Sequence, residues 1–244
     1  MGAMNRTVFD QVYTRVCHVK QGLEGRRAHI DREFSKRGVP VDFFLDHDIP
    51  DIDRAELAAV PIRPGEYSVA LKHVGIWRAF LDTGKPYCLV FEDDVFLAPD
   101  FVHKLGLCLY ELGDPARRAA VYLGNGCNLH IPASDIVPGQ HLYRSNTSRC
   151  MDSYLITRPV AEARLDWLER NPLTLPIDHQ VNVMDEELGI EVLWFEPTIV
   201  EQGSENGAFA SSLRDSSRPG RFRKLIRRWK KAVMQLRGKG YTEA

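Results

Sequence analysis

The sequence YCLVFEDDVFLAPD, residues 87–100, joins an apolar and aromatic run to three adjacent carboxylates, Glu92, Asp93 and Asp94. A short apolar run bounded by polar residues is typical of a buried strand. Like charges repel, and each buried carboxylate costs several kcal/mol unless a cation accompanies it. The stretch therefore predicts a buried strand that ends at a group able to hold positive charge.

Strand and helix patterns alternate on both sides of this stretch. Runs rich in Val, Ile and aromatic residues predict strands, and apolar residues every three or four positions predict helices. The predicted strands are 12–19, 41–46, 87–92, 119–124, 151–157 and 190–196. The predicted helices are 24–38, 65–84, 98–113, 158–170 and 176–189, with a loop-rich segment at 48–65 and mostly loop or short strands at 125–149. This alternation predicts an α/β fold with a mainly parallel central sheet.

The three carboxylates lie where such a fold binds its ligands, beyond the carboxyl end of a strand. Side chains alternate along an extended chain, so Glu92 and Asp94 are expected to point one way and Asp93 the other. Carboxylate oxygens are the ligands that Mg²⁺ and Mn²⁺ prefer, together with substrate phosphates. On spacing alone, a solvated acidic turn after the strand is an equal alternative.

The composition indicates which cellular compartment and which metal chemistry to expect. The five cysteines are odd in number and scattered, without a CxxC motif, which favours a reducing cytosol over a disulfide framework. No apolar run approaches the roughly 18 residues of a membrane span, and no segment near the start resembles a signal peptide. The eight histidines show no HxH or HExxH spacing, so zinc is not expected.

The carboxyl-terminal tail differs in charge from the rest of the chain. Residues 218–244 hold ten Lys or Arg and one acidic residue, a net of +9, which leaves −10 on the remainder of a chain whose total is −1. Apolar residues recur in it at helical spacing: Phe222, Leu225, Ile226, Trp229, Val233 and Leu236. This pattern predicts an amphipathic helix on an anionic membrane surface. A helix packed on the domain is the alternative, and no motif indicates nucleic-acid binding.

Several short motifs occur in a characteristic order over roughly residues 12–205. They are an R-R pair (Arg26, Arg27), a G-E…H…W stretch (Gly65, Glu66, His73, Trp77), an E-D-D-V block (Glu92, Asp93, Asp94, Val95), a strand (Ser153, Tyr154, Ile156, Thr157), a P-x-D (Pro176, Asp178) and a late P-x-x-x-x-Q (Pro197, Gln202). The set resembles glycosyltransferase family 25, the bacterial lipopolysaccharide and lipooligosaccharide sugar transferases and their collagen galactosyltransferase relatives. Lys72 stands where that family usually has Ser, and Asp152 where a small residue is common.

The resemblance implies a GT-A-like nucleotide-sugar-binding fold and an inverting transfer from a nucleotide sugar, commonly UDP-galactose. It makes Asp94, with Glu92, the expected ligand of Mn²⁺ or Mg²⁺. The expected donor-binding residues are Glu92, Asp93, Arg26, Arg27 and Gln202. The general base is expected to be Asp178, or else Asp152. The alternatives are an N-cap role for Asp178 and solvated roles for the two arginines, while His73 and Trp77 are expected to lie in the core.

We therefore expect residues 5–217 to be a catalytic domain and residues 218–244 a membrane-associating tail. The expected enzyme transfers galactose or a related hexose to a lipid-linked glycan of a bacterial surface polysaccharide. It would lie peripherally on the cytoplasmic face of the inner membrane. Two alternatives stay open, a metal-dependent phosphohydrolase and a catalytically silent, membrane-bound protein that binds nucleotide sugars.

Overall fold

A seven-stranded sheet lies at the centre of the structure, a computed structural model that describes residues 8–206 and 208–209. In chain order its strands are β1 (Val12–Cys17), β2 (Phe43–Phe44), β3 (Tyr87–Glu92), β5 (Ala119–Tyr122), β6 (Leu142–Ser145), β7 (Ser153–Thr157) and β8 (Glu191–Phe195). Their order across the sheet is β2-β1-β3-β7-β5-β8-β6. Two further strands, β4 (Val95–Leu97) and β9 (Val200–Gln202), form a small antiparallel sheet of their own.

The central sheet is mixed, with most strands running the same way. β1 is parallel to both β2 and β3, and β5 is parallel to β8. β7 lies antiparallel between β3 and β5, and β6 lies antiparallel on the edge beside β8. Among the described strands of this sheet, only β6 and β7 therefore oppose the other five. The prediction of an α/β fold with a mainly parallel sheet is confirmed.

Helices cover both faces of the sheet. They are α1 (Glu24–Arg37), α2 (Arg54–Ala59), α3 (Pro64–Leu81), α4 (Phe101–Leu112), α5 (Arg158–Leu168), α6 (Ile177–Glu187) and the short α7 (Gly203–Asn206). Helices α1 and α4 pack on one face, where Phe34 and Phe101 meet Phe91. Helices α3, α5 and α6 pack on the other, around Trp77 and Val90. Alternate side chains of β3 enter the two cores, as the strand period requires.

The strand order reverses beside β1. The chain passes from β1 through α1 to β2 on one side, then returns to β3 on the other side. In open α/β sheets, the crevice beyond the carboxyl ends of two such strands is the usual ligand site. The parallel register pairs Cys17 with Glu92, so both strands end at the same level. Because β7 runs in reverse, its first residue, Ser153, lies opposite Phe91 at this same edge.

One pair of short strands was not predicted from the sequence, whereas the loop segment agrees with its prediction. The pair β4–β9 was not predicted, because strands of three residues are too short to show a periodicity. The segment 125–149 holds β6 and a 3₁₀ turn at Ala133–Asp135, in keeping with the prediction of loop and short strands.

The tail 218–244 and its boundary at 217 lie outside the described residues. Among the helices that the structure describes, none is long and apolar enough to cross a bilayer.

Candidate active site

The carboxylate of Asp93 is held between two basic side chains. Its Oδ1 accepts a hydrogen bond of 2.5 Å from Nη1 of Arg26, and its Oδ2 lies 2.7 Å from Nδ1 of His18. His18 follows directly after β1, and Arg26 lies in the first turn of α1. All three side chains are buried. The middle carboxylate of the acidic turn is therefore neutralised by the protein itself.

Glu92 and Asp94 instead contact the last residue of β9 and the segment that follows it. Nε2 of Gln202 donates to Oε2 of Glu92 over 3.0 Å, and the backbone N–H of Ser204 donates to Oδ2 of Asp94 over 3.0 Å. A Cβ on Gly203 would lie 2.5 Å from the carbonyl oxygen of Asp94, so this close approach requires glycine. Glu92 and Asp94 thus both contact the chain between residues 202 and 204, whereas Asp93 contacts His18 and Arg26.

A fourth carboxyl group, that of Asp152, joins the cluster from the position directly before β7. The carbonyl of Asp152 accepts the backbone N–H of Glu92 over 2.8 Å, because β7 and β3 are antiparallel neighbours. The side chain is fully buried, and its Oδ2 accepts a hydrogen bond of 3.0 Å from Oγ of Ser153. A Cβ on Gly124 would lie 1.9 Å from that same Oδ2, so glycine is needed to admit the carboxyl group.

Crowding and burial raise the pKa of three of these groups. Burial raises the pKa of Asp152 to about 7, against the opposing hydrogen bond of Ser153 and with a further increase from the charge of Asp94. Burial and then the charges of Asp94 and Asp152 raise the pKa of Glu92 well above its ordinary range. Burial also raises the pKa of Asp94, although the guanidinium of Arg26 opposes this. The cluster therefore favours either bound protons or a bound cation.

The donor atoms of this cluster fit a hard divalent cation. Oδ1 of Asp94 and Oδ1 of Asp152 are buried and have no hydrogen-bond partner in the described part of the chain. Within that same part, no group of three or more His, Cys, Asp or Glu side chains is arranged around an ion position. Mg²⁺ and Mn²⁺ suit such a site, because they take one or two carboxylates and complete their shell with phosphate and water.

The two neighbouring arginines point to different surroundings. Arg26 binds Asp93, and its Nη2 lies 3.8 Å from Oδ2 of Asp94, so the solvated alternative is wrong for this residue. Arg27 is exposed, with its guanidinium 4.7 Å from the ring centroid of Phe43. The structure thus brings Arg26, and not Arg27, into contact with the acidic cluster.

Asp178 lies on the rim of the same edge. It is the second residue of α6 and is half-buried, while Pro176 occupies the N-cap position, so the N-cap alternative is wrong. Oδ1 of Asp178 accepts the backbone N–H of His179 over 3.0 Å. Its carbonyl accepts a hydrogen bond of 3.0 Å from Oγ of Ser148, in the segment that leads to Asp152. A half-buried carboxylate at this place can reach a ligand that the enclosed Asp152 cannot.

His73 and Trp77 belong to the core, as expected from the sequence. Nδ1 of His73 lies 2.9 Å from the hydroxyl of Tyr154, which also accepts a hydrogen bond of 2.9 Å from Nε1 of Trp77. Complete burial lowers the pKa of His73 to about 3, so the ring is neutral. Lys72 is likewise buried, and its ammonium donates to Oδ1 of Asp48 over 2.7 Å.

Three site residues were missed from the sequence: His18, Gly124 and Gly203. The signal for His18 was its place directly after a strand parallel to β3, which puts it level with the acidic turn. The signal for Gly124 was a glycine at the end of a predicted strand, where close approach of another group is common. Gly203 adjoins Gln202, but no local pattern relates either residue to a carboxylate 110 positions earlier.

The segment that contains the acidic turn is similar in sequence to known glycosyltransferases. Residues 22–123 match the family model described as "Glycosyltransferase family 25 (LPS biosynthesis protein)". An 82-residue stretch is 40% identical to the lacto-N-neotetraose biosynthesis glycosyltransferase LgtB of Neisseria meningitidis, covering 30% of this chain and 29% of that relative. An 84-residue stretch is 31% identical to the lipooligosaccharide biosynthesis protein lic2B of Haemophilus influenzae, covering 30% of each. The chain thus spans less than a third of the length of the curated relatives it matches.

One solved structure aligns over a longer range. A glycosyltransferase involved in the glycosylation of the major capsid of PBCV-1 aligns over 91% of this chain and 98% of its own. The identity is 11% and the TM-score 0.47, a level at which the likeness has no bearing on function.

Proposed function

The resemblance to glycosyltransferase family 25 is confirmed over residues 22–123, and we propose from it that this chain transfers a hexose from a nucleotide sugar to a bacterial surface glycan. One observation carries the proposal. The matched segment contains both Arg26 and the Glu92–Asp94 turn, and these meet where the strand order of the sheet reverses. That is where an α/β sheet binds a nucleotide. We accordingly assign the chain a GT-A-like fold.

UDP-galactose is the donor we propose, and a lipid-linked glycan the acceptor. The support is the description of the relatives as enzymes of lacto-N-neotetraose and lipooligosaccharide biosynthesis. A nucleotide sugar carries a diphosphate, whose negative charge an uncompensated acidic cluster would repel. Arg26 offsets part of that repulsion, and its contact with Asp93 fixes its guanidinium toward Asp94.

A divalent cation, Mn²⁺ or Mg²⁺, held by Asp94 with Glu92 would neutralise the charge that develops on the departing diphosphate. Two hydrogen bonds hold the carboxylates that would bind the cation. Gln202 fixes one oxygen of Glu92, and Ser204 fixes one oxygen of Asp94, which leaves the other oxygen of Asp94 without a partner among the described residues. Preorganised groups of this kind need not reorganise during the reaction.

An inverting transfer requires a base at the acceptor hydroxyl, and Asp178 is the residue we propose. It is half-buried on the rim and can contact an acceptor, whereas Asp152 is enclosed beneath Gly124. A general base must come within hydrogen-bond reach of the proton that it removes. Asp152 is therefore assigned a positioning role, through its charge on Glu92 and its place beside β3.

We further propose that the protein acts peripherally at the cytoplasmic face of the inner membrane. The support is the sequence of the tail, whose basic and apolar residues alternate at helical spacing. A lipid-linked acceptor would be presented at that surface.

A single assay tests the proposed function. The full chain is incubated with UDP-galactose and an oligosaccharide acceptor, with Mn²⁺ or with a chelator, and the products are analysed by mass spectrometry and by NMR of the anomeric linkage. The expected result is cation-dependent transfer with inversion at the anomeric carbon. Release of UMP and galactose 1-phosphate without transfer would instead indicate a phosphohydrolase. Saturable binding without turnover of any nucleotide sugar would indicate a silent binding protein.

A further inference from the structure

The fold brings together two cysteines that lie far apart in the sequence. The Sγ atoms of Cys127 and Cys150 are 2.7 Å apart, although 23 positions separate the residues. Cys127 is exposed and Cys150 is partly exposed, whereas Cys17, Cys88 and Cys108 are buried. The scattered spacing of the cysteines had indicated no disulfide framework. The contact between these two thiols therefore arises from the tertiary structure alone.

The thiol pair lies next to the acidic cluster. Cys127 belongs to the loop that follows β5, and Cys150 lies two residues before Asp152. Gly126 connects the pair to the cluster, because a Cβ at that position would lie 3.3 Å from Sγ of Cys150 and 2.7 Å from Oε1 of Gln202. Gln202 in turn binds Glu92. The two segments that carry the thiols therefore form one wall of the site.

The backbone at Cys150 is itself unusual. Its φ angle is +64°, in the left-handed region that side chains other than glycine rarely adopt. Such a conformation persists only where the surroundings hold it, and it recurs at functional positions. Here it turns the thiol of Cys150 toward Cys127.

We propose that Cys127 and Cys150 are a reversible thiol–disulfide site, at which a small-molecule disulfide such as oxidised glutathione cross-links the two segments beside the acidic cluster. The thiolate of Cys127 attacks the disulfide, which forms a mixed disulfide and releases one glutathione thiolate. Cys150 then gives up its proton and attacks the sulfur of Cys127, which forms the internal disulfide and releases the second glutathione. The protein loses two electrons and two protons, and one oxidised glutathione becomes two reduced molecules.

The exposure of the two thiols determines the order of the two steps. Cys127 is the thiol that an external disulfide can reach, because it is exposed. Cys150 is less exposed and lies against Cys127, so the sulfur that it can attack is that of Cys127. Cys127 is therefore the attacking residue and Cys150 the resolving one.

The test needs no substrate, so it is independent of the proposed sugar transfer. The full chain is equilibrated in glutathione buffers of increasing oxidised fraction, its free thiols are blocked, and its peptides are mapped without reduction. The expected product links Cys127 to Cys150, leaves three free thiols and reverts with dithiothreitol. Because the bond closes the loop between residues 127 and 150, the melting temperature of the oxidised protein should rise by about 6–12 °C. Amide exchange should slow at residues 125–128 and 148–151.

Variants identify the role of each thiol. Cys150→Ser should retain one glutathione on Cys127, since the resolving thiol is missing, and Cys127→Ser should form no adduct at Cys150. Cys108→Ala, which alters a buried cysteine in α4, should still form the cross-link. The proposal is overturned if the wild-type chain keeps all five thiols in oxidising buffer. It is equally overturned if Cys127 stops at the glutathione adduct, or if the cross-link joins other cysteines.

Discussion

Arg26 and Asp93 form a buried ion pair, in which Nη1 lies 2.5 Å from Oδ1 and both residues are less than a tenth exposed. The pair explains how three adjacent carboxylates can end a buried strand. Asp93 is paired with Arg26 and lies 2.7 Å from His18 on its other side, whereas burial raises the pKa of Glu92 and of Asp94, so these two acids favour a bound proton or cation. Removing one partner from such a pair leaves the other buried and uncompensated.

Arg26→Met is therefore expected to lower the free energy of unfolding by about 3–5 kcal/mol, as breaking a buried ion pair does. Arg27→Met is the matched control, because Arg27 is exposed on the same helix and should change stability by less than about 0.5 kcal/mol. Urea unfolding followed by circular dichroism measures both. Equal losses in the two variants would show that Arg26 does not hold the acidic turn together.

Asp94→Asn is expected to lower the turnover of a nucleotide sugar by about 10²-fold or more, because it removes one charge from the proposed cation site. Asp166→Asn, an exposed position on α5, should leave turnover unchanged. Initial rates with and without Mn²⁺ provide the measurement, and far-ultraviolet circular dichroism verifies the fold. Near-normal turnover in a folded Asp94→Asn protein would exclude Asp94 as the main ligand.

Asp178→Asn keeps the size of the side chain but cannot accept a proton from an acceptor hydroxyl. We expect turnover to fall by about 10²-fold while the affinity for UDP-galactose changes little. The two quantities are separated by steady-state rates and by calorimetric titration of the nucleotide sugar. If Asp178→Asn loses little turnover, the base must be sought elsewhere, and Asp152→Asn would be assayed next.

The stability of the protein should depend on pH through Asp152. Its pKa is about 7 in the folded chain and about 3.9 in an unfolded one. Between these values the folded state binds more protons, so the free energy of unfolding should fall as the pH rises through this window. Asp152→Asn should make the slope shallower, with Glu92 and Asp94 retaining the remainder, whereas Asp166→Asn should not change it. Urea unfolding at about pH 5 and about pH 8 measures the difference. The same slope in wild type and Asp152→Asn would contradict it.

The membrane proposal rests on residues 218–244, which lie outside the described part of the chain. Replacing Leu225 and Trp229 with Ser in the full chain should weaken sedimentation with anionic vesicles, because apolar area is lost while the charge is kept. Rising salt should weaken the binding of the unchanged protein, since exposed charges are screened beyond a Debye length. Neutral vesicles are the control. Equal sedimentation of the two proteins would argue against a membrane role for the tail.

Features of the site formed by residues close together in the sequence could be predicted, whereas contacts between residues far apart in the sequence could not. Local patterns predicted strand β3 and the acidic turn that follows it. The part played by Asp152 was not predictable, because a hydrophobic pattern identifies a strand without giving its direction, and β7 is antiparallel. Gln202 was proposed from a motif, but its bond to Glu92 spans 110 positions and leaves no periodic trace.

The contact between Gln202 and Glu92 also has a consequence for synthesis on the ribosome. The chain emerges from its amino end, so the acidic turn leaves the exit tunnel 110 residues before the segment that completes its surroundings. At about 5–20 residues per second, that interval lasts roughly 5–20 s. During that interval the carboxylates are expected to remain in contact with water, and β4 cannot pair with β9, because β9 has not yet been synthesised. We expect nascent chains stalled before Val200 to be cut by protease near the acidic turn, and chains released after Phe209 to resist.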